Sequence, residues 1–344
     1  MNPLTLTSVY HPLKFIHPAK TSRDTLYEKP SWFIKLTDAD GKSGWGECSL
    51  IPGLSVESID QINLALRDLA GIFDWDGWMK TLNDASPSLR FALETVDHSY
   101  RSNDGFSMFD TPFSRGEEGI PINGLIWMGD DEHVIDQMHA RAAEGFRILK
   151  MKIGANDFNR ELALLKRIRN IFPENEFELR LDANGAFSPQ QVLERLHMLA
   201  EYSIHSIEQP IRQGQASAMA EVCAKSPIPI ALDEELIDVT PDGELLDVIR
   251  PHYLILKPGL LGGFTVCNRW VKLAQDRGIG WWATSALESN IGLNAIAQWC
   301  AAQNTSMPQG LGTGRLYSNN IEAPLRIQNA RLYTQPRGWQ LPPV

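Results

Sequence analysis

LRLDANGAF, residues 179–187, sets a carboxylate at the end of an apolar run, directly before the turn residues Asn184 and Gly185. A strand buried on both faces should be apolar throughout, so Asp182 marks an end that meets something charged. The pattern recurs along the chain. Lys150 and Lys152 stand in LKMKIG, Glu208 in SIEQP, Asp233 in ALDEE, Lys257 in LILKPG and Ser285 in ATSALES. From Lys152 onward these residues follow one another at roughly 24 to 30 positions, the length of one strand–helix unit in a parallel α/β fold.

Working outward, the texture predicts strands at Pro121–Trp127, Phe146–Ile153, Glu178–Ala183, Ser203–Gln209, Ile228–Glu234, Tyr253–Lys257, Gly280–Ser285 and Gln309–Gly312, with amphipathic helical patterns between them. Asp157 and the Ser188-Pro189 pair supply helix starts. Eight strands over about 200 residues is the count of a (β/α)8-type barrel. An open doubly wound sheet would carry a G-x-G-x-x-G turn after its first strand, and none is present. Before the barrel, the alternating run Ser31–Thr37, the turn Asp38–Gly41 and the run Ser43–Cys48 predict a hairpin. Leu4–Lys14 reads as a further strand, and Ser55–Leu69 and Ser88–Tyr100 read as helices. The division expected is an α+β capping domain over 1–118, a barrel over 119–319, and a C-terminal segment 320–344 that packs back on the cap.

The 344 residues carry 32 Lys and Arg against 42 Asp and Glu, a net charge of −10. That balance argues against nucleic acid as a partner. No apolar stretch approaches the ~18 residues of a membrane span, and the first residues lack the pattern of a signal peptide. Four scattered cysteines, without C-x-x-C spacing, read as reduced thiols of a cytoplasmic protein. An oligomer is compatible with all of this.

All strands of a barrel point their C-terminal ends at one mouth, where active sites form. Asp182, Glu208 and Asp233 therefore converge there with Lys150, Lys152 and Lys257. Side-chain alternation gives Lys150 and Lys152 one face, and Arg180, Asp182 and Asn184 another; it leaves open which of Asp233 and Glu234 faces inward. Three carboxylates in a confined site need a cation to stay ionised together. An all-oxygen set suits Mg²⁺, with Mn²⁺ as a substitute. His205 has the opposite parity to Glu208, which argues against zinc. A lysine beside a metal and a second lysine can lose its proton near neutrality and act as a base. The chemistry that fits is proton abstraction next to a substrate carboxylate, through an enediolate.

In order and spacing these segments, with GLGTGRLY at 310–317, resemble the enolase superfamily, a group that uses a lysine or histidine base with Mg²⁺. The K-x-K at 150–152 and the lone Lys257 are similar to the muconate-lactonizing subgroup, and most nearly to the family of o-succinylbenzoate synthases. The resemblance implies a small-molecule carboxylate substrate and a lyase reaction, loss of water from 2-succinyl-6-hydroxy-2,4-cyclohexadiene-1-carboxylate in menaquinone biosynthesis. It implies that Asp182, Glu208 and Asp233 hold Mg²⁺ and that Lys152 is the base and then the acid. Lys150 would tune Lys152, and Lys257 would stabilise the developing charge from the opposite face. Arg180 and Asn184 would flank the first ligand as substrate-binding residues, with Arg180 reaching either a substrate carboxylate or a salt bridge to a neighbouring strand. Ser285 and the Leu311–Gly312 backbone would line the succinyl end. Two cap loops, Pro18–Tyr27 and Cys48–Ser55 with Leu50, would cover the substrate. Relatives in the subgroup racemise N-succinylamino acids, epimerise dipeptides or cycloisomerise muconate with nearly the same residues. Dipeptide epimerases carry an Asp-x-Asp on the eighth strand, where this chain has the acid-free Gly310–Gly314.

Overall fold

Antiparallel pairing organises the N-terminal third. The structure, a computed structural model, describes residues 3–20 and 25–344. The elements here are β1 (Leu4–Tyr10), β2 (Leu13–Lys20), β3 (Thr25–Lys29), β4 (Ser31–Asp38), β5 (Ser43–Ser49), α1 (Ile59–Leu69), β6 (Gly71–Phe73), α2 (Trp75–Asp84) and α3 (Pro87–Arg101). The sheet order is β5-β4-β1-β6, with β2–β3 a separate hairpin. The single strand expected over Leu4–Lys14 is two strands, broken at His11–Pro12, where proline supplies no ladder N–H. Helix α1 begins later than its periodicity suggests, because Ser58 and Gln61 form a reciprocal capping box. The DWDGW stretch opens α2: Asp74 Oδ1 accepts from Gly77 N at 2.7 Å, and Trp78 is fully buried in the cap core.

Helix α3 lies directly on β5. A Cβ at Gly44 would sit 2.4 Å from Tyr100 N, and one at Gly46 would sit 2.3 Å from Ala92 O. The two glycines of SGWGE therefore allow backbone-to-backbone packing that no other residue permits.

The second part alternates strand and helix. It comprises β7 (Ile120–Pro121), β8 (Gly124–Ile126), α4 (Asp131–Ala143), β9 (Ile148–Lys152), α5 (Phe158–Ile171), β10 (Glu178–Asp182), α6 (Val192–Ala200), β11 (Ile204–Glu208), α7 (Ala216–Lys225), β12 (Ile230–Leu232), α8 (Glu244–Ile249), β13 (Tyr253–Leu256), the single turn α9 (Pro258–Leu261), α10 (Gly263–Gln275), β14 (Gly280–Ala283) and α11 (Asn290–Ala302). Seven strands, β8 to β14, form one parallel sheet in sequential order. Residues 309–310 close it into a barrel. Gln309 N donates to Pro121 O (2.9 Å) and Gln309 O accepts from Asn123 N (3.0 Å); on the other side Gly310 N donates to Ala283 O (2.7 Å) and Gly310 O accepts from Ser285 N (3.2 Å). Among the described residues no helix follows this eighth, very short strand. The chain runs back toward the cap instead, where Tyr317 meets Phe15 and the Asn319 side chain holds Lys14 N.

The C-terminal segment divides. The hairpin of β15 (Arg326–Gln328) and β16 (Arg331–Tyr333) pairs with β7, ahead of the first strand of the parallel sheet. Farther on, Trp339 stacks on Phe106 at 4.6 Å and packs in a cluster with Phe33, Trp45 and Ile291.

Cap and barrel meet at two buried carboxylates. Glu94 on α3 accepts from Phe264 N and, at 3.1 Å, Thr265 N at the start of α10. Glu47 on β5 accepts from Ser289 N (2.9 Å) and Gly292 N (3.1 Å) at the start of α11. Each acid answers the unpaired N–H groups and positive end of a helix.

Candidate active site

Register places the charged strand ends level with one another. Lys152 pairs with Asp182, and Asp182 with Glu208, across β9, β10 and β11. Each strand then ends in a backbone that turns sharply: Asn184 (φ 43°) and Gly185 (φ 74°) follow Asp182, and Gln209 (φ 40°) follows Glu208. Asparagine tolerates this left-handed region better than most residues.

Asp182, Glu208 and Asp233 are all buried, and one oxygen from each lies within 4.8 Å of the others. Lys150 Nζ lies 3.0 Å from Asp182 Oδ2 and also donates to Glu208 Oε2. Lys152 Nζ lies 3.3 Å from Asp182 Oδ2 and donates to Asn184 Oδ1. Lys257 Nζ lies 2.5 Å from Asp233 Oδ2. Lys152 leaves the second barrel strand and Lys257 follows the sixth, so the two ammonium groups approach from opposite sides.

Charge dictates the protonation here. Burial alone would raise the Asp182 carboxyl, but the ammonium groups of Lys150, Lys152 and Lys257 outweigh it and hold the group well below its ordinary value. For Glu208 burial prevails over the Lys150 ammonium, with Asp182 and Asp233 adding to it, and its carboxyl is pushed up to about 7. Burial would lower the Lys150 and Lys257 ammonium groups, yet the surrounding carboxylates raise both.

Glu208 Oε1 is buried without a hydrogen-bond partner among the described residues. A buried carboxylate oxygen left in that state is costly. One oxygen from each of three buried acids is a hard donor set that fits a small divalent cation. His205 stands apart from the triad, stacked on Tyr253 at 5.3 Å and 3.7 Å from Glu178.

Both acids that alternation left open face the site. Asp233 joins the triad, while Glu234 accepts from Asn184 Nδ2 at 3.0 Å and lines the pocket. A turn of 3-10 helix over Glu234–Leu236 makes this possible, since alternation stops where the strand does. Gln209 is a residue the spacing argument missed. It is completely buried, and its Oε1 accepts from Asp233 N (3.1 Å) and Glu235 N (3.2 Å), so it fixes the turn that carries Asp233. Its signal was a second polar residue directly after Glu208.

The pocket above the charged floor is walled by Asn123, Leu125, Trp127, Thr284, Ser285, Ala286, Leu287, Gly310, Gly312 and Thr313, and roofed by Leu26, Ile51, Pro52 and Leu54. Three expected lining residues lie elsewhere. Arg180 is 1% exposed; its Nε donates to Glu178 Oε1 (2.8 Å) and its guanidinium lies over Trp282 at 4.4 Å. It shares a face with Asp182 but sits one pleat lower, inside the barrel. Leu50 is 2% exposed in the cap core, so the neighbouring Ile51 reaches the pocket instead. Leu311 is fully buried in the barrel core, and by alternation its neighbours Gly310 and Gly312 face the pocket. Ser285 does line the pocket, but its hydroxyl donates to Glu288 Oε2 (2.7 Å) and accepts from Leu287 N (2.9 Å). Of the first cap loop, residues 21–24 lie outside the described residues.

Residues 133–338 match the family described as enolase C-terminal domain-like. The o-succinylbenzoate synthase of Desulfotalea psychrophila (strain LSv54) is 47% identical over 93% of this chain and 96% of its own. A crystal structure of MenC from Desulfotalea psychrophila LSv54 superposes with a TM-score of 0.85 at 43% identity, covering 96% of this chain and 99% of that one. More distantly, an L-amino acid-D/L-Glu epimerase from Francisella philomiragia is 24% identical over 80% of each chain. The carboxylates and lysines gathered at the barrel mouth thus stand in a chain that belongs to the o-succinylbenzoate synthase family of the enolase superfamily.

Proposed function

We propose that this chain dehydrates 2-succinyl-6-hydroxy-2,4-cyclohexadiene-1-carboxylate to o-succinylbenzoate, as a cytoplasmic enzyme of menaquinone biosynthesis. Residues 119–319 form the catalytic barrel and residues 1–118 the cap in this reading. The observation that carries it is the placement of lysines from the second and sixth strands on either side of a buried three-carboxylate cluster, in a chain of this family. Asp182, Glu208 and Asp233 would hold Mg²⁺, or Mn²⁺ in its place. Bound there, the cation supplies Lewis-acid stabilisation of the negative charge that develops on the substrate carboxylate.

The protein's own groups do the rest. Lys152, in its neutral form, takes the proton from the carbon bearing the carboxylate. The electron pair left behind expels the ring hydroxyl, and the Lys152 ammonium returns the proton to it, so that water leaves and the ring becomes aromatic. Lys257 stays cationic and faces the developing charge from the other side. Asn184, bonded to Lys152 and Glu234, orients the base. Lys150 holds Asp182 and Glu208.

The far end of the pocket suits an uncharged or anionic group. Thr284 Oγ1 and Thr313 Oγ1 are buried hydroxyls without partners among the described residues, free to donate, and both residues line the pocket. These strands carry no acid that would receive an ammonium group. One observation favours a second reading: lysines on opposite faces are also what a two-base racemase of N-succinylamino acids requires. The experiment is to follow aromatisation of the cyclohexadiene carboxylate with Mg²⁺ beside deuterium exchange into an N-succinylamino acid. Rapid aromatisation with slow exchange supports the dehydratase. Fast exchange with sluggish dehydration transfers the same residues to a racemase.

A further inference from the structure

Leu287 occupies a backbone conformation that leucine avoids. Its φ is 61°, in the left-handed region, where a Cβ crowds the following carbonyl and a bulky residue is an outlier. Such strain persists only where the surroundings impose it, and it concentrates at functional sites.

Here the constraint can be named. Ser285 Oγ accepts from Leu287 N at 2.9 Å and from Glu288 N at 3.3 Å, and donates to Glu288 Oε2 at 2.7 Å. The one proton and two lone pairs of that hydroxyl are thereby all used inside the turn. On the other side of the peptide, the Tyr317 hydroxyl donates to Leu287 O at 2.6 Å. Tyr317 is 5% exposed and packed on Phe15 of the cap at 4.7 Å. The barrel thus holds the amide of Leu287, and a residue anchored to the cap holds its carbonyl. Between them the half-buried side chain lines the pocket, in an apolar patch with Leu26, Ile51 and Leu54.

We propose that Leu287 is a specificity-determining residue, whose left-handed backbone is imposed by Ser285 and Tyr317 so that its side chain forms the apolar wall against which the substrate packs. The proposal deepens the functional reading above and rests on it for the choice of substrate. Ser285 then acts through Leu287 as a positioning residue, and its hydroxyl is not a substrate donor.

Two substitutions separate the strain from the wall. Asparagine tolerates the left-handed region but is polar, whereas valine is apolar but β-branched and disfavoured there. For Leu287→Asn the expected melting temperature is no lower than that of the wild type, with KM raised about tenfold and kcat within about threefold, as for loss of an apolar contact made equally in ground and transition states. For Leu287→Val the expected melting temperature falls by about 4 °C, although valine is the closer chemical match. A Val variant as stable as wild type, or an Asn variant that fails to fold, overturns the imposed strain. An Asn variant with unchanged KM overturns the wall. The wild-type rate on the cyclohexadiene carboxylate is measured first. If that rate is negligible the functional reading has failed, and the same KM comparison is made with the N-succinylamino acid that the wild type does process.

Discussion

Charge is buried in two places in this molecule, and the two are solved differently. At the seam between cap and barrel, the Glu47 carboxylate accepts from Ser289 N, Ser289 Oγ and Gly292 N, with Ser31 Oγ at 3.3 Å. Lys29, completely buried, stands near Glu47 and Glu288 and donates to Ser49 Oγ at 2.5 Å. What Glu47 requires is supplied by the fold, while Glu288 Oε1 beside it is buried without a hydrogen-bond partner among the described residues. At the barrel mouth, three acids receive lysine ammonium groups, with one backbone amide beside them, Asn184 N on Asp182 Oδ1 at 3.1 Å, and Glu208 Oε1 receives nothing among the described residues. A carboxylate saturated by backbone donors is fastened in place. A carboxylate shared among lysine side chains can exchange partners when a metal and a substrate enter.

The sharpest way to break this contrast is to remove the cation. Chelation is expected to lower turnover at least about 10³-fold, with recovery on adding Mg²⁺ and no change in far-ultraviolet circular dichroism. Full activity in excess chelator would make the mouth a seam like the other. Next in size is Lys257→Met, expected to reduce kcat about 10²–10³-fold as a lost electrostatic contact, with KM changed far less in steady-state kinetics.

At the seam the expected loss is of stability. Lys29→Met leaves Glu47 and Glu288 facing each other without their cation, a cost of about 3–5 kcal/mol at pH 8 in urea unfolding. The deficit should shrink toward pH 5. Burial, and after it Glu47, raises the Glu288 carboxyl above its ordinary 4.5 against the opposing pull of Lys29. A carboxyl raised in the folded state contributes stability that is fully present below its unfolded value and is lost as pH rises through the folded one. Acidification therefore lets a proton on Glu288 replace the missing lysine. A deficit independent of pH would contradict the seam account.

The smallest effect tests a residue between the two regions. Arg180→Met should leave KM within about twofold and lower stability by about 1–2 kcal/mol through the lost bond to Glu178. A large rise in KM would restore Arg180 to the substrate.

The same contrast explains how much could be read from residue order. The mouth was legible because Asp182, Glu208 and Asp233 interrupt apolar strands at a regular period, and only convergence of strand ends makes sense of that. Depth along the barrel was not legible: alternation gives Arg180 and Asp182 one face without saying which lies at the rim. Where strands end, alternation ends too, so Glu234 faces the site beside Asp233. Leu50 and Leu311 were misplaced by one residue each, because the loops and short strand carrying them have no period long enough to set a face. The seam was illegible, since Glu47 and Glu288 are 241 positions apart and meet only once α11 docks on β5.

The most direct measurement of the central claim is the dehydration rate of Lys152→Ala beside its divalent-metal affinity by calorimetry. The account predicts a rate about 10⁴-fold below wild type, with metal still bound by Asp182, Glu208 and Asp233. A variant that binds metal and dehydrates the cyclohexadiene carboxylate within tenfold of the wild-type rate would show that Lys152 is not the base.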